Sequence, residues 1–253
     1  IGKDITRFHC LIWPAMLMAA GVELPKSIFG HGFVYNRGEK MSKTLGNIVD
    51  PINLANYFGA DALRYLLLRE IAFDRDGDFT VELFVTRYNA ELANELGNLF
   101  SRTLSMTQRY FEGAVPAYTP EGAKEAERLT RTVAQDYRRE MDALAFDRAL
   151  AAVWRAVQEG NRFVEERKPW AQAKNEREAL GDTLRALLEV LRMCSILVQP
   201  FMPEKALAMR AQLGLSAGFT LDEAGRFGDG AWKRIGTSAV LFPRIEIDAK
   251  KAS

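Results

Sequence analysis

Lys40 and Lys43 stand three residues apart in Gly38-Glu39-Lys40-Met41-Ser42-Lys43-Thr44-Leu45-Gly46-Asn47, a short polar run between glycines. Two ammonium groups at this spacing suit a loop that closes over a polyphosphate, because each offers a compact charge and three donors to phosphate oxygens. Ser42 and Thr44 add hydroxyl donors, Met41 can anchor against an apolar wall, and Gly38 and Gly46 free the backbone at both ends. Two lysines alone would fit a solvated surface turn; the case for chemistry rests on the whole run.

Three further groups of residues carry possible chemistry. Gly2 and Asp4 precede an apolar run in which Ile5, His9 and Trp13 recur at steps of four and share a helix face. A His and a Trp on such a face are by themselves ordinary core residues. Ser27-Ile28-Phe29-Gly30-His31-Gly32-Phe33-Val34-Tyr35 is predicted as a buried strand whose glycines permit close approach of a ligand. It leads directly into the lysine loop, where open α/β sheets bind nucleotides, although His31 reads equally as a structural strand histidine. Downstream stand Asn98 and Arg102, one helical turn apart, and Trp170 in Arg167-Lys168-Pro169-Trp170-Ala171. RNA loops are read by stacking bases on aromatic rings and bonding their edges with Arg and amide groups. Spacing alone favours a solvated Asn/Arg face and a capping Trp.

The complete run Lys-Met-Ser-Lys-Thr-Leu-Gly-Asn closely resembles the KMSKS loop of class I aminoacyl-tRNA synthetases, with Thr44 in place of the last Ser. The opening Gly-Lys-Asp-Ile-Thr-Arg-Phe-His-Cys-Leu-Ile-Trp-Pro-Ala resembles the methionyl-tRNA synthetases, and Gly-Ala-Asp-Ala-Leu-Arg from Gly59 resembles a run in the connecting unit of class I synthetases. The resemblance implies ATP binding by Gly2, Asp4, His31, Val34, Lys40, Ser42 and Lys43, with Lys40 and Lys43 catalytic. It implies a methionine pocket at Ile5, His9 and Trp13, fitting because a thioether suits an apolar, aromatic-lined slot. It further implies anticodon reading by Asn98, Arg102 and Trp170. The implied substrates are methionine, ATP with Mg2+ and tRNA(Met). The family's first half, with its HIGH motif and any zinc, is absent from these residues. The chain then reads as a C-terminal half, inactive alone, that works with the missing N-terminal half as a cytoplasmic monomer. Another class I synthetase, of the Leu/Ile/Val type, and a non-catalytic tRNA-binding helical module are the alternatives.

The elements that must position these residues follow from the rest of the sequence. The chain has 253 residues, 48% of them hydrophobic, and a net charge of +1, so any RNA contact must come from a local patch. Cys10 and Cys194 show no CxxC spacing, which fits a reducing compartment and no metal site. No apolar run reaches membrane-spanning length and no secretory signal opens the chain. The expected fold is mostly α: the end of a Rossmann-type α/β catalytic domain over 1–49, a connecting unit over 50–79, a helical-bundle anticodon-binding domain over 80–237, and a C-terminal peptide over 238–253 that folds back. One helix is expected from Ile5 to about Ala20, capped by Asp4, kinked near Trp13 by Pro14 and ended by Gly21. Others are expected from Asp50-Pro51 to Tyr57 and from Gly59. Beyond Thr80 the pattern is helical almost to Gly214, with helices near Pro120–Leu144, Phe146–Arg167, Asn175–Val198 and Pro203–Leu213. Leu92, Leu96, Leu99, Thr103, Met106 and Tyr110 should form one buried stripe, with Asn94, Asn98 and Arg102 on a different face.

Overall fold

The computed structural model describes residues 1–42, 44, 46–218, 220–228 and 232–246. The chain begins with a tight 3-10 turn at Lys3–Ile5, a wide π-helical turn at Phe8–Ile12, and helix α1 at Trp13–Ala19. This corrects the expectation of one regular helix capped by Asp4: Gly2 precedes the first turn with no side-chain cap, and Asp4 lies inside it. Pro14 is the physical reason for the irregularity. It has no N–H to give Cys10 and its ring crowds that carbonyl, so the turn before it widens and the Trp13 N–H donates to the Phe8 carbonyl. Gly21, at φ 68°, ends the helix as expected, with the Val22 N–H donating to the Leu17 carbonyl at 2.9 Å.

The predicted strand over residues 27–35 is mostly not one. Only Val34–Asn36 forms a strand, β1, which pairs antiparallel with β2 at Glu39–Lys40 and parallel with β3 at Gly77–Asp78. Arg37 and Gly38, at φ 55° and 77°, make the tight hairpin between β1 and β2. Upstream, the backbone meets the start of the chain through His31 N–H to the Ile1 carbonyl at 2.8 Å and Lys3 N–H to the His31 carbonyl at 3.0 Å, and it meets the start of β3 through Gly77 N–H to the Phe33 carbonyl at 3.0 Å. The segment is half-buried, because a strand needs a continuous partner and here residues 74–76 cross it instead. A Cβ at Gly32 would collide with the Arg75 backbone, so that glycine makes room for the chain itself rather than for a ligand.

Helices α2 (Pro51–Phe58) and α3 (Ala60–Glu70) follow, the first capped by Asp50, which accepts from the Ile52 N–H at 2.8 Å. Then comes one continuous helical rod: α4 at Val81–Arg87, a π-helical stretch at Tyr88–Gly97, and α5 at Asn98–Phe111. Helices α6 (Pro120–Asp142), α7 (Phe146–Arg167), α8 (Pro169–Asn175), α9 (Arg177–Leu197), α10 (Pro203–Leu213) and α11 (Leu221–Ala224) complete the molecule. The fold is mostly helical with one small sheet, as expected. Helix α9 is buried nearly throughout and forms the axis against which α5, α6, α7, α8, α10 and α11 pack. Leu92, Leu96, Leu99 and Thr103 are wholly buried in that core, and Met106 and Tyr110 partly so.

Polar ties join the connecting helices to the bundle. Lys205 N–H donates to Asp61 Oδ2 at 2.7 Å, and Arg64 Nη2 donates to the Pro200 carbonyl at 2.7 Å. Glu91, only 9% exposed, sits in the π-helical stretch and accepts from Tyr65 Oη at 2.5 Å, Arg69 Nη2 at 3.1 Å and Arg87 Nη1 at 2.9 Å. The tail returns to the same rod: Asn89 Nδ2 donates to the Ile245 carbonyl at 2.8 Å and the Ile245 N–H donates to Asn89 Oδ1 at 2.9 Å.

Candidate functional site

The small sheet carries Val34 and Lys40, and an isolated bridge beside the chain's first turn carries Gly2 and His31, four of the residues expected to bind a nucleotide. Gly2 bridges His31 side by side, β1 starts at Val34, and Lys40 ends β2 of the same hairpin. The Asp4 carboxylate is exposed and folds back over Gly2, so a Cβ there would lie 2.7 Å from Asp4 Oδ1. His31 Nδ1 lies 3.0 Å from the Gly32 carbonyl oxygen; since a carbonyl only accepts, Nδ1 carries the proton. Lys40 Nζ lies 4.5 Å from the Phe33 ring centroid and Lys3 Nζ 5.1 Å, so one ring attracts two ammonium groups.

Two residues that sequence reasoning gave no role hold this arrangement. Asp76 accepts from Lys3 Nζ at 2.6 Å and from the Phe33 N–H at 2.8 Å, which ties the first turn and β1 to the chain before β3. The hydrogen bond to Lys3 holds the Asp76 carboxyl below its usual range, and the same bond raises the Lys3 ammonium. Asn47 braces the lysine loop: its Oδ1 accepts from the Ser42 N–H at 2.8 Å, its Nδ2 donates to the Lys40 carbonyl at 3.3 Å, and its own carbonyl accepts from Asn36 Nδ2 at 2.9 Å. Asn47 closed the motif run, which was the available signal; nothing in the sequence around Asp76 marked it. Lys43 and Leu45 lie outside the described residues.

Of the residues expected at a methionine pocket, His9 and Trp13 meet edge to face with ring centroids 5.9 Å apart. Ile5 contributes its carbonyl, which accepts from His9 Nδ1 at 3.0 Å, and its side chain is open, the residue being 45% exposed. That bond leaves Nε2 of a neutral His9 as an acceptor. Phe8, Leu11, Ile12, Met16 and Met18 on the same segment are also exposed, so an extended apolar face surrounds the pair.

At the other candidate site, Asn98 is exposed on the first turn of α5 and Arg102 one turn on. Trp170 is the second residue of α8, after Pro169 and the cap residue Lys168, which is left-handed at φ 47°. It is 43% exposed, with the Arg102 guanidinium 5.9 Å from its ring centroid and Arg102 Nη2 held 2.8 Å from Glu165 Oε1. Arg102 and Trp170 are thus brought together at the surface, an arrangement suited to sandwiching a flat base. Two features elsewhere are structural. Burial pushes the Cys194 thiol up to about 12, and Cys10 is exposed and unpaired with it. Among the described residues no group of three or more His, Cys, Asp or Glu is placed to hold a metal ion, and no helix is long and apolar enough to cross a membrane.

Comparison with known proteins gives two family matches along the chain. Residues 1–104 match the family described as tRNA synthetases class I (M), and residues 114–246 match the anticodon binding domain of methionyl tRNA ligase. The chain belongs to the methionyl-tRNA ligase family. Among curated relatives, the methionine–tRNA ligase of Caldanaerobacter subterraneus subsp. tengcongensis is 44% identical over 262 residues, spanning 100% of this chain and 40% of the relative. That of Clostridium perfringens is 44% identical over 257 residues, again 100% of this chain and 40% of the relative. The chain therefore spans well under half the length of these relatives. A solved structure of Mycobacterium tuberculosis methionyl-tRNA synthetase in complex with methionyl-adenylate superposes with a TM-score of 0.88 at 40% identity, covering 96% of this chain and 49% of that one.

Proposed function

We propose that this chain is part of a methionine–tRNA ligase that activates methionine with ATP and transfers it to tRNA(Met). The observation that carries the reading is the convergence at one small sheet: the Gly2–His31 bridge and the β1–β2 hairpin bring Gly2, Asp4, His31, Val34 and Lys40 to one side of the fold. There Asp4 would accept from ribose hydroxyls, the His31–Val34 segment would pass the adenine, and Lys40, Ser42 and Lys43 would hold the phosphates. The methionine thioether would lie against His9, Trp13 and Ile5. A methionine carboxylate oxygen attacks the α-phosphorus, forming the acyl–phosphate bond as the bond to pyrophosphate breaks. A ribose hydroxyl of the terminal tRNA adenosine then displaces AMP from the acyl carbon. Charge growing on the phosphate oxygens is what the lysine ammonium groups would stabilise.

Mg2+ would enter with ATP on its phosphate oxygens, and the donor sets described here do not fit a zinc site. The exposed apolar face of Phe8, Leu11, Ile12, Met16 and Met18 would dock the remainder of the catalytic domain, which would complete the active site. Asn98, Arg102 and Trp170 would read the anticodon, and the protein would act in the cytoplasm as a monomer. The domain division proposed is 1–49 catalytic, 50–79 connecting, 80–237 anticodon-binding and 238–253 returning tail. Aminoacylation by the full-length protein tests the reading as a whole. Methionine should be charged onto a transcript with the methionine anticodon and poorly onto one with a single anticodon base exchanged; equal charging of both would overturn the anticodon roles.

A further inference from the structure

Two carboxylates beside β3 have no part in the chemistry above, yet both hold the hairpin that carries Lys40. Residues two apart in an extended chain share a face, and Asp76 and Asp78 flank Gly77 in this way. Asp76 Oδ1 accepts from the Phe33 N–H at 2.8 Å, where the chain enters β1. Asp78 Oδ1 accepts from the Gly38 N–H at 3.0 Å, in the turn between β1 and β2. Between these two grips the backbones pair, with the Gly77 N–H donating to the Phe33 carbonyl at 3.0 Å and the Phe79 N–H to the Tyr35 carbonyl at 2.9 Å. The hairpin is thus held at its entry, along β1 and at its turn.

The base that holds it is firm. Phe79, next in the chain, is buried and meets Phe84 edge to face at 6.1 Å, and Thr80 caps α4 by accepting from the Leu83 N–H at 3.1 Å. Gly77 packs so closely on Ile71 that a Cβ there would lie 2.7 Å from its side chain. From this base the path to Lys40 is short. Asp76 fixes the Phe33 backbone, and the Phe33 ring lies 4.5 Å from Lys40 Nζ. Asp78 fixes Gly38, two residues before Lys40 and left-handed at φ 77°. A group that stabilises charge growing in a transition state must be in place beforehand, since a misplacement of about 1 Å can cost about a hundredfold in rate. We propose that Asp76 and Asp78 are positioning residues for methionine activation, acting through Lys40 by setting the stance of the hairpin. This rests on the reading of Lys40 as a phosphate-binding residue.

The test is single-turnover adenylate formation by the full-length protein, with the burst amplitude read beside the rate constant. Asp78→Ala and Asp76→Ala should each lower the rate constant about five- to tenfold, the size of one lost hydrogen bond, with the amplitude kept. Asp78→Asn and Asp76→Asn, whose amide oxygen still accepts from the backbone, should recover most of that loss. Added to Lys40→Ala, Asp78→Ala should slow the reaction by less than about twofold, because residues that act as a unit are not additive. Asp78 is exposed, so its variants carry the test should Asp76→Ala fail to fold. Three results would overturn the proposal while Lys40→Ala remains slow. One is a rate constant within about twofold of wild type in the alanine variants. Another is a lowered amplitude, which counts folded sites, with the rate constant unchanged. The third is the full Asp78→Ala loss persisting on top of Lys40→Ala. An unchanged rate in Lys40→Ala would overturn the reading of Lys40 and this proposal with it.

Discussion

Removing the aromatic face of Trp170 should weaken tRNA binding, and the structure decides which substitution shows it cleanly. More than half of the residue is covered, since it is 43% exposed. A Trp side chain buries up to about 250 Å², so the covered part is roughly 140 Å², or about 3.5 kcal/mol at about 25 cal/mol per Å² as an upper bound. Trp170→Ala would therefore cost folding free energy of the same size as the effect sought, because a base stacked on an aromatic ring contributes about 1–3 kcal/mol. Trp170→Leu keeps much of the covered apolar area and loses the π face. It should lower tRNA(Met) affinity by about 1–3 kcal/mol, roughly five- to 150-fold, while thermal unfolding shifts by less than that equivalent. Arg102 should lose its cation–π contact and keep Glu165 as partner. Titration with tRNA beside a melt is the assay. A Trp170→Leu variant that melts near wild type and binds tRNA unchanged would refute the reasoning.

The other perturbations act on the nucleotide end and on the joint between the two parts. Lys40→Ala in the full-length protein should slow adenylate formation by about 2.7–4 kcal/mol of barrier, with methionine affinity nearly kept, as stopped-flow measurement would show. Tyr65→Phe removes a buried donor from the Glu91 carboxylate and should cost about 1.5–3 kcal/mol of stability by denaturant titration. The Asp76 carboxyl is depressed by its bond to Lys3, so its contribution is present above the unfolded carboxyl range and fades as pH falls through the depressed folded value. The raised Lys3 ammonium works in the opposite direction, its contribution being complete below the ordinary lysine value and lost as pH rises through the folded one. Asp76→Asn should lower stability in the middle of a stability–pH profile and flatten its acid limb; an unchanged acid limb would contradict the tie.

Elements bounded by strong local punctuation were legible in the sequence. Helix α7 runs over Phe146–Arg167 and α10 over Pro203–Leu213 as expected, because proline punctuation and apolar spacing both act within a few residues. The buried stripe from Leu92 to Thr103 was legible for the same reason, although its π-helical widening left no mark in the spacing. Residues 27–33 failed because aromatic and β-branched composition reports a suitable surface and not the presence of a partner strand. Asp76, Glu91 and Asn89 were silent because their partners are remote: Lys3, Tyr65 and Ile245 lie 73, 26 and 156 residues away. The motif runs pointed to the candidate sites, but how far Trp170 is exposed, and that Arg102 lies over it, are facts of packing.

Amino-acid-dependent exchange of pyrophosphate into ATP by the full-length protein, run across the protein amino acids with and without Lys40→Ala, tests the central claim most directly. Exchange with methionine, little with leucine, isoleucine or valine, and a large loss in Lys40→Ala is the result expected. Exchange driven by another amino acid, or methionine-dependent exchange that survives Lys40→Ala unchanged, would contradict it.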